Sequence, residues 1–397
     1  MGLRMEPVTA DQNPEWTAIR FTGNSLEFFK IWIVNVLLTL VTLGLYSPWA
    51  KVRTLAYFHG NTWIRDSSFA YLADPVKILK GRIIAVMVFA IYWICTEFLP
   101  EYALWALSAL ILLFPFIMVT AMSFRMRNTA YRNIRFYFRP DYWGAYSLFM
   151  LPLGVIIILM SVIYLLITGG EFWTQIEQAT NGEVRKTDYL FPALSLSLLP
   201  VVPYIDYLRR RFIVEHTQYG TVKGQFQARA RSFYNIYLIA FLLFVALGTV
   251  FGVIMGVLVT VVSLAAGGEP TPEQLGSMAV WLFAGVLIFY AFAFFVVGYL
   301  QAALTNVTLS NTILGPVLLS SELRGRHIGW LYLSNTLAII ASAGMLIPWS
   351  RIRMARYIAA HTMYRDYGLD QVCAQAQSDR SAIGEEIGDM FDFDFGL

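Results

Sequence analysis

One spacing recurs five times in this chain and limits its fold more than any other feature. A Pro-aromatic pair, eleven residues and then Asn-Thr or His-Thr run from Pro48-Trp49 to Asn61-Thr62, from Pro115-Phe116 to Asn128-Thr129, from Pro203-Tyr204 to His216-Thr217 and from Pro348-Trp349 to His361-Thr362. A fifth copy, Gly298-Tyr299 to Asn311-Thr312, has Gly in place of Pro. The first and last copies match over a longer reach at a shift of 300 residues, pairing Asn35, Leu37, Gly44, Arg53 and Tyr57 with Asn335, Leu337, Gly344, Arg353 and Tyr357. Fixed self-similarity of this kind means one supersecondary unit used several times.

The medium around these units follows from composition. The 397 residues are 57% hydrophobic and 14% charged, with mean hydropathy +0.58, whereas a soluble domain is about 25% charged. Charge-free runs at 102–124, 142–170, 232–268 and 274–321 reach the length of about 20 apolar residues that a helical span requires. The chain therefore reads as a polytopic membrane protein. Residues 1–20 are polar, carry Pro7 and Pro14 and show no leader pattern, so insertion is expected to rely on the internal spans. Two cysteines, Cys95 and Cys373, do not suggest a disulfide framework.

Each unit reads as a short strand, an apolar helix, a turn, a second helix carrying the Pro-aromatic pair and a short strand ending at Thr. Turn formers follow each internal copy at Asp66-Ser67, Asn133, Gly220 and Gly315-Pro316, predicting β-hairpins over roughly 57–72, 122–139, 212–228 and 305–323. The expected fold is an all-α polytopic membrane protein with short cytoplasmic β-hairpins. Its parts are a polar segment 1–18, a membrane domain 19–364 of five repeats (19–64, 68–131, 136–219, 224–314 and 318–364) and an acidic tail 365–397. The strands near Ile19 and near Tyr357 to Tyr364 lack hairpin partners, and pairing them with each other would leave no open edge.

Charge orients the units. Arg65, Arg125, Arg127, Arg132, Arg135, Arg209, Arg210, Lys223, Arg229, Arg324 and Arg326 lie in or beside the hairpins, whereas of 29 Lys and Arg only Arg185 and Lys186 fall among the opposite turns. Such a bias marks the cytoplasmic face, with both termini on it. Residues 31–50 and 328–350 are each long enough for one crossing, yet their flanking charges place both ends on one side. They are expected to bend at Thr42-Leu43-Gly44 and Ser342-Ala343-Gly344 and return, giving six full spans and two re-entrant pairs. Eight simple spans are the alternative.

The string Thr42-Leu43-Gly44-Leu45-Tyr46-Ser47-Pro48-Trp49-Ala50-Lys51-Val52-Arg53, with Phe21-Thr22-Gly23, Asn35 to Thr39, Asn61-Thr62 and the Gly384-Glu385-Glu386-Ile387-Gly388-Asp389 tail, resembles the YjgN-like family of bacterial inner-membrane proteins. The resemblance covers nearly the whole chain. It implies a multi-pass inner-membrane location and no established activity, and it brings no catalytic residues with it.

Each residue with a capacity for chemistry has a plainer reading beside it. His216 and His361 stand where other units have Asn61, Asn128 and Asn311, so a side-chain hydrogen bond explains the position better than a metal does, and no cofactor or metal is expected. His59 and His327 read as interfacial. Asp206 approaches the membrane interior, yet Arg209 and Arg210 lie within reach on its helical face. Asn35, Asn335 and Thr39 are the ligand-facing candidates, against a structural role between helices. Gly248, Gly252 and Gly256 form a double GxxxG suited to helix packing within the chain or between copies.

Two function classes stay open. The units either surround a cavity that passes a small solute, or form a non-catalytic scaffold that binds lipid or a partner, with anionic headgroups at the basic hairpins and a protein partner for the tail. A lipid-acting enzyme is a weaker third, since no acid, base and nucleophile constellation is visible. Nucleic acid is not an expected partner, because the basic residues are spread among repeats. Oligomeric state is not legible.

Overall fold

A computed structural model describes residues 14–168, 199–266 and 272–382. In chain order its elements are β1 (Thr17–Ala18), β2 (Arg20–Phe21), α1 (Ser25–Val41), α2 (Ser47–Gly60), β3 (Thr62–Ile64), β4 (Ser67–Tyr71), α3 (Pro75–Phe98), α4 (Ala103–Arg127), β5 (Thr129–Tyr131), β6 (Ile134–Phe138) and α5 (Tyr142–Thr168). They continue as α6 (Val201–His216), β7 (Thr217–Tyr219), β8 (Val222–Phe226), α7 (Ala230–Ala266), α8 (Pro272–Ser310), β9 (Thr312–Leu314), β10 (Val317–Ser321), α9 (Gly325–Ala341), α10 (Ile347–Ala360), β11 (Thr362–Asp366) and α11 (Leu369–Ala382). Part of the third repeat, 136–219, lies outside the described residues, as do Arg185, Lys186 and the acidic end of the tail.

Among the described residues, four helices are long and apolar enough to cross a membrane: Pro75–Phe98, Pro100–Arg127, Ala230–Leu264 and Ala279–Ser310. Few of their residues are buried, and α3 buries none. In water such a surface would be prohibitive. In a bilayer it is the solvated surface.

The expected all-α class needs correction, because eleven strands lie among the described residues and carry the ends of the helices. At two to five residues each, they are too short for alternation to mark them in sequence. All four hairpins form, with turns led by backbone of positive φ at Arg65, Arg132, Asn133, Gly220 and Gly315.

The chain divides into two compact units. In one, Met1–Val41, Arg53–Phe69 and Asn235–Gln371, β9 pairs with β10, β10 with β11 and β11 with β1, while β2 pairs with β3 and β3 with β4. The first and last strands thus meet, with Thr17 opposite Tyr364 and the Ile19 N–H donating to the Thr362 carbonyl at 2.9 Å. Arg65 holds this join from the side. Its guanidinium bridges Asp366 and Asp370, both at 2.8 Å, and its N–H donates to the Tyr364 hydroxyl at 3.0 Å. In the other unit, Thr42–Val52, Ala70–Tyr234 and Val372–Leu397, the strands run β5, β6, β7, β8. Val119, Phe138, Ala145 and Phe212 form its buried core.

The repeated motif has one local explanation. The last carbonyls of a helix have no partner inside it, and here two consecutive side chains reach back four residues to bond them. Asn61, Asn128 and Asn311 donate from Nδ2 to the carbonyls of Tyr57, Phe124 and Val307 at 2.7–2.9 Å. His216 and His361 do the same from Nδ1 to Phe212 and Tyr357, at 2.8 and 2.9 Å. A carbonyl only accepts, so Nδ1 carries the proton in both rings. The threonines that follow, Thr62, Thr129, Thr217, Thr312 and Thr362, donate to the next carbonyls at 2.7–2.9 Å.

The same Asn or His closes the unit with its own carbonyl. Thr22 donates its N–H to the Asn61 carbonyl, Leu72 to Asn128, Arg139 to His216 and Glu322 to His361, at 2.8–3.0 Å. Each donor directly follows the strand from which the helices depart. In these four units the chain therefore leaves and returns at one place, so each of these excursions closes on itself.

Candidate functional site

The excursion formed by α9 and α10 is a helical hairpin. Arg353 on α10 donates from Nη1 to Ser334 Oγ at 2.7 Å and Asn335 Oδ1 at 3.0 Å on α9. Between the helices, Ala343 and Gly344 adopt φ 48° and 91°, and Leu43 and Gly44 adopt φ 49° and 91° between α1 and α2. Both bends satisfy their backbone locally. The Tyr46 N–H donates to Thr42 Oγ1 and the Leu346 N–H to Ser342 Oγ, each at 3.0 Å. At 93% exposure the apolar Leu43 side chain crowns the first bend.

A cavity of about 300 Å³ opens where α1, α9 and α10 meet. Ser25, His327, Trp349, Arg353, Arg356 and His361 contribute its polar and aromatic lining. The Arg353 guanidinium lies 5.1 Å from the centre of the Trp349 ring, a cation–π contact that holds it in place. Arg356 donates one Nη2 bond to the Gly23 carbonyl at 3.2 Å. Tyr357 stacks on His327 with ring centres 4.5 Å apart and lies tilted against His361 at 4.3 Å. Among the described residues, neither arginine is paired with a carboxylate.

Helix crossing positions this wall. A methyl group added at Gly325 would lie 2.6 Å from the Tyr299 Cα, and one at Gly329 would lie 2.7 Å from the Phe295 Cα. Only glycine lets α8 and α9 touch backbone to backbone, with Gly298 facing Gly329. Sequence reasoning missed this contact. It singled out Gly248, Gly252 and Gly256 instead, where an added methyl would meet nothing within 4 Å.

The other predicted residues are scattered. Asn35 and Asn335 are 4% and 7% exposed, and Asn335 is bonded to Arg353. Thr39 donates to the Asn35 carbonyl at 2.6 Å. Asp206 is paired with Arg209 at 2.8 Å and Arg210 at 2.9 Å. Pro48, Pro115, Pro203, Gly298 and Pro348, the first residue of each motif copy, are buried. His216 contacts Asp141 through Nε2 at 3.5 Å. No group of three His, Cys, Asp or Glu suited to a metal occurs among the described residues.

Both cysteines are free. Cys373 on α11 is buried, its Sγ 3.4 Å from the Tyr219 hydroxyl, which also donates to the Tyr131 carbonyl at 3.0 Å. Burial, with the thiol beside it, pushes the Tyr219 phenol well above the usual tyrosine range.

Sequence comparison agrees with the membrane reading. Residues 16–390 match the family described as "Bacterial protein of unknown function (DUF898)". The chain is 24% identical over 369 residues to inner membrane protein YjgN of Salmonella typhimurium, covering 89% of this chain and 90% of that one. It is 27% identical over 135 residues to inner membrane protein YjgN of Escherichia coli O157:H7, 34% of each chain. No solved structure matches.

Proposed function

Since this chain belongs to the DUF898 family and its relatives are inner membrane proteins, we propose that it is a multi-pass scaffold that binds anionic lipid headgroups at the cytoplasmic surface. The carrying observation is the Arg353–Asn335 bond. A solute path through the repeats would present its deep polar groups to water. Here the deep amide is buried and joined to an arginine, while other basic residues, Arg135 and Lys223, are exposed on the strands. Clustered Lys and Arg at the cytoplasmic leaflet gain about 1 kcal/mol each from anionic lipid.

The same proposal includes the topology. An excursion that ends where it began crosses the bilayer twice or not at all. α3 with α4, and α7 with α8, are long enough for two crossings. α1 and α9 have 17 residues each, about 26 Å at 1.5 Å per residue, short of a hydrocarbon core of about 30 Å. Five repeated units with six crossings and two re-entrant pairs, all hairpins and both termini cytoplasmic, fit these lengths and the basic bias.

Native mass spectrometry of the full chain, extracted in a mild detergent from membranes of mixed composition, tests the binding role. Retention of anionic phospholipid above its bulk fraction is expected. Retention at the bulk fraction, together with solute-selective currents in planar bilayers, would favour the conducting reading instead.

A further inference from the structure

The five-unit repeat supplies an internal control for the cavity between α1, α9 and α10. At the 300-residue shift, Trp349, Arg353 and Tyr357 correspond to Trp49, Arg53 and Tyr57, so the framework is common to both units. Three positions differ in kind. His327, Arg356 and His361 correspond to Glu27, Ala56 and Asn61. In unit one, Glu27 approaches the Tyr57 hydroxyl at 3.1 Å; in unit five the histidine stacks on the equivalent tyrosine. The same scaffold has thus exchanged an acid, a methyl and an amide for two imidazoles and a guanidinium, all lining one cavity.

Other uses of these groups fall short. The His361 Nδ1 is committed to its helix cap, but the cap needs only an amide, as Asn61 demonstrates. Arg356 uses one bond on Gly23, and a guanidinium has five N–H donors. His216, the other capping histidine, has Asp141 beside Nε2; His361 has no such acid among the described residues. Beside the Nη1 bonds of Arg353 and the single bond of Arg356, what remains is a pocket with two permanently charged guanidinium groups that have no carboxylate partner among the described residues. Planar guanidinium groups suit tetrahedral phosphate oxygens.

We propose that this cavity is a site for a phosphate-bearing group, with Arg353 and Arg356 as the anion ligands and His327, His361 and Ser25 completing the shell. The site rests on the scaffold reading and narrows it to one unit of the five. The cavity runs along α10 from Trp349 to the capped end at His361, so a phospholipid headgroup entering at that end and free phosphate are both admissible sources.

The test uses the full chain in neutral detergent and a short-chain phosphatidate, with inorganic phosphate as competitor. Replacing all three positions by their unit-one counterparts (His327→Glu, Arg356→Ala and His361→Asn) keeps residues that this scaffold already accommodates. Arg351→Ala, exposed and outside the cavity, is the charge control. The triple variant should bind phosphatidate at least about tenfold more weakly, the loss expected of one or more charge-assisted bonds, with the control unchanged. Competition by millimolar inorganic phosphate supports the site with free phosphate as its source; absence of competition supports it with the lipid headgroup. Equal weakening in triple variant and control, or none in either, overturns the site while leaving general lipid binding in place. Failure of the wild-type chain to bind any anionic lipid or phosphate overturns the scaffold reading and the site together.

Discussion

His361 accepts the Glu322 N–H at its backbone carbonyl, 3.0 Å away, so the 38 residues between them end where they begin. Its ring closes the helix it terminates by donating to the Tyr357 carbonyl. One residue therefore caps the helix and ties the excursion shut. Asn61, Asn128 and His216 do the same in three other units.

If capping is the role of that position, the two histidines are replaceable. His216→Asn and His361→Asn should each leave the thermal midpoint in detergent nearly unchanged. Thr217→Val and Thr362→Val, which remove the adjacent hydroxyl bond, should each cost about 1 kcal/mol. His361→Asn should still weaken phosphate binding, separating its two roles.

The paired bends give a backbone prediction. Gly44 and Gly344 both sit at φ 91°, a region that side chains avoid, and an added methyl would meet nothing within 4 Å at Gly44 and only the Ile347 side chain at 3.8 Å at Gly344. The cost of Gly44→Ala or Gly344→Ala is then conformational, about 1–2 kcal/mol at each, and denaturant titration should give similar values for the two. A cost at one position alone would show that the bends are not equivalent.

The join of first and last strands depends on Arg65. Arg65→Ala removes the partner of a buried Asp366 and the bond to Asp370, so limited proteolysis near residue 16 should accelerate. A Thr17→Cys, Tyr364→Cys pair should crosslink readily, because directly opposed residues in a ladder have Cβ atoms about 5 Å apart, and Arg65→Ala should slow that reaction.

Cys373 reports on how α11 is held. In a Cys95→Ser background its buried thiol should react slowly with an aqueous disulfide reagent, and Tyr219→Ala should speed the reaction several-fold. The Tyr219 phenol has its folded-state pKa raised by burial. Its contribution to stability is therefore complete below the unfolded value of about 10 and fades as pH climbs above it. Alkaline unfolding should shift upward in Tyr219→Phe if the hydroxyl bond is not missed.

Much of this was legible from residues alone. Helix bounds at 142–168 and hairpins at all four expected places follow from hydropathy and from turn residues such as Asp66 and Gly315. The Asn and His equivalence pointed to a hydrogen bond because amide and imidazole share a donor at the same reach. What escaped was tertiary. Gly325 and Gly329 form a GxxxG pair whose partner Gly298 lies on another helix, and spacing alone does not distinguish that pair from Gly248, Gly252 and Gly256, where an added methyl would meet nothing within 4 Å. His327 looked interfacial by itself; only alignment with Glu27 at the 300-residue shift and the cavity it lines reveal a change of charge.

In the proposed topology each excursion returns to the side it left. In a Cys-free background, single cysteines at Asp66, Arg135 and Thr221, all exposed beside hairpin turns, and at Glu101, exposed between α3 and α4, would be labelled in intact spheroplasts with a membrane-impermeant thiol reagent. The account predicts that only position 101 reacts, the other three becoming accessible after permeabilisation. Labelling of position 66 together with protection of 101 would mean that α1 and α2 cross the bilayer once, contradicting the account.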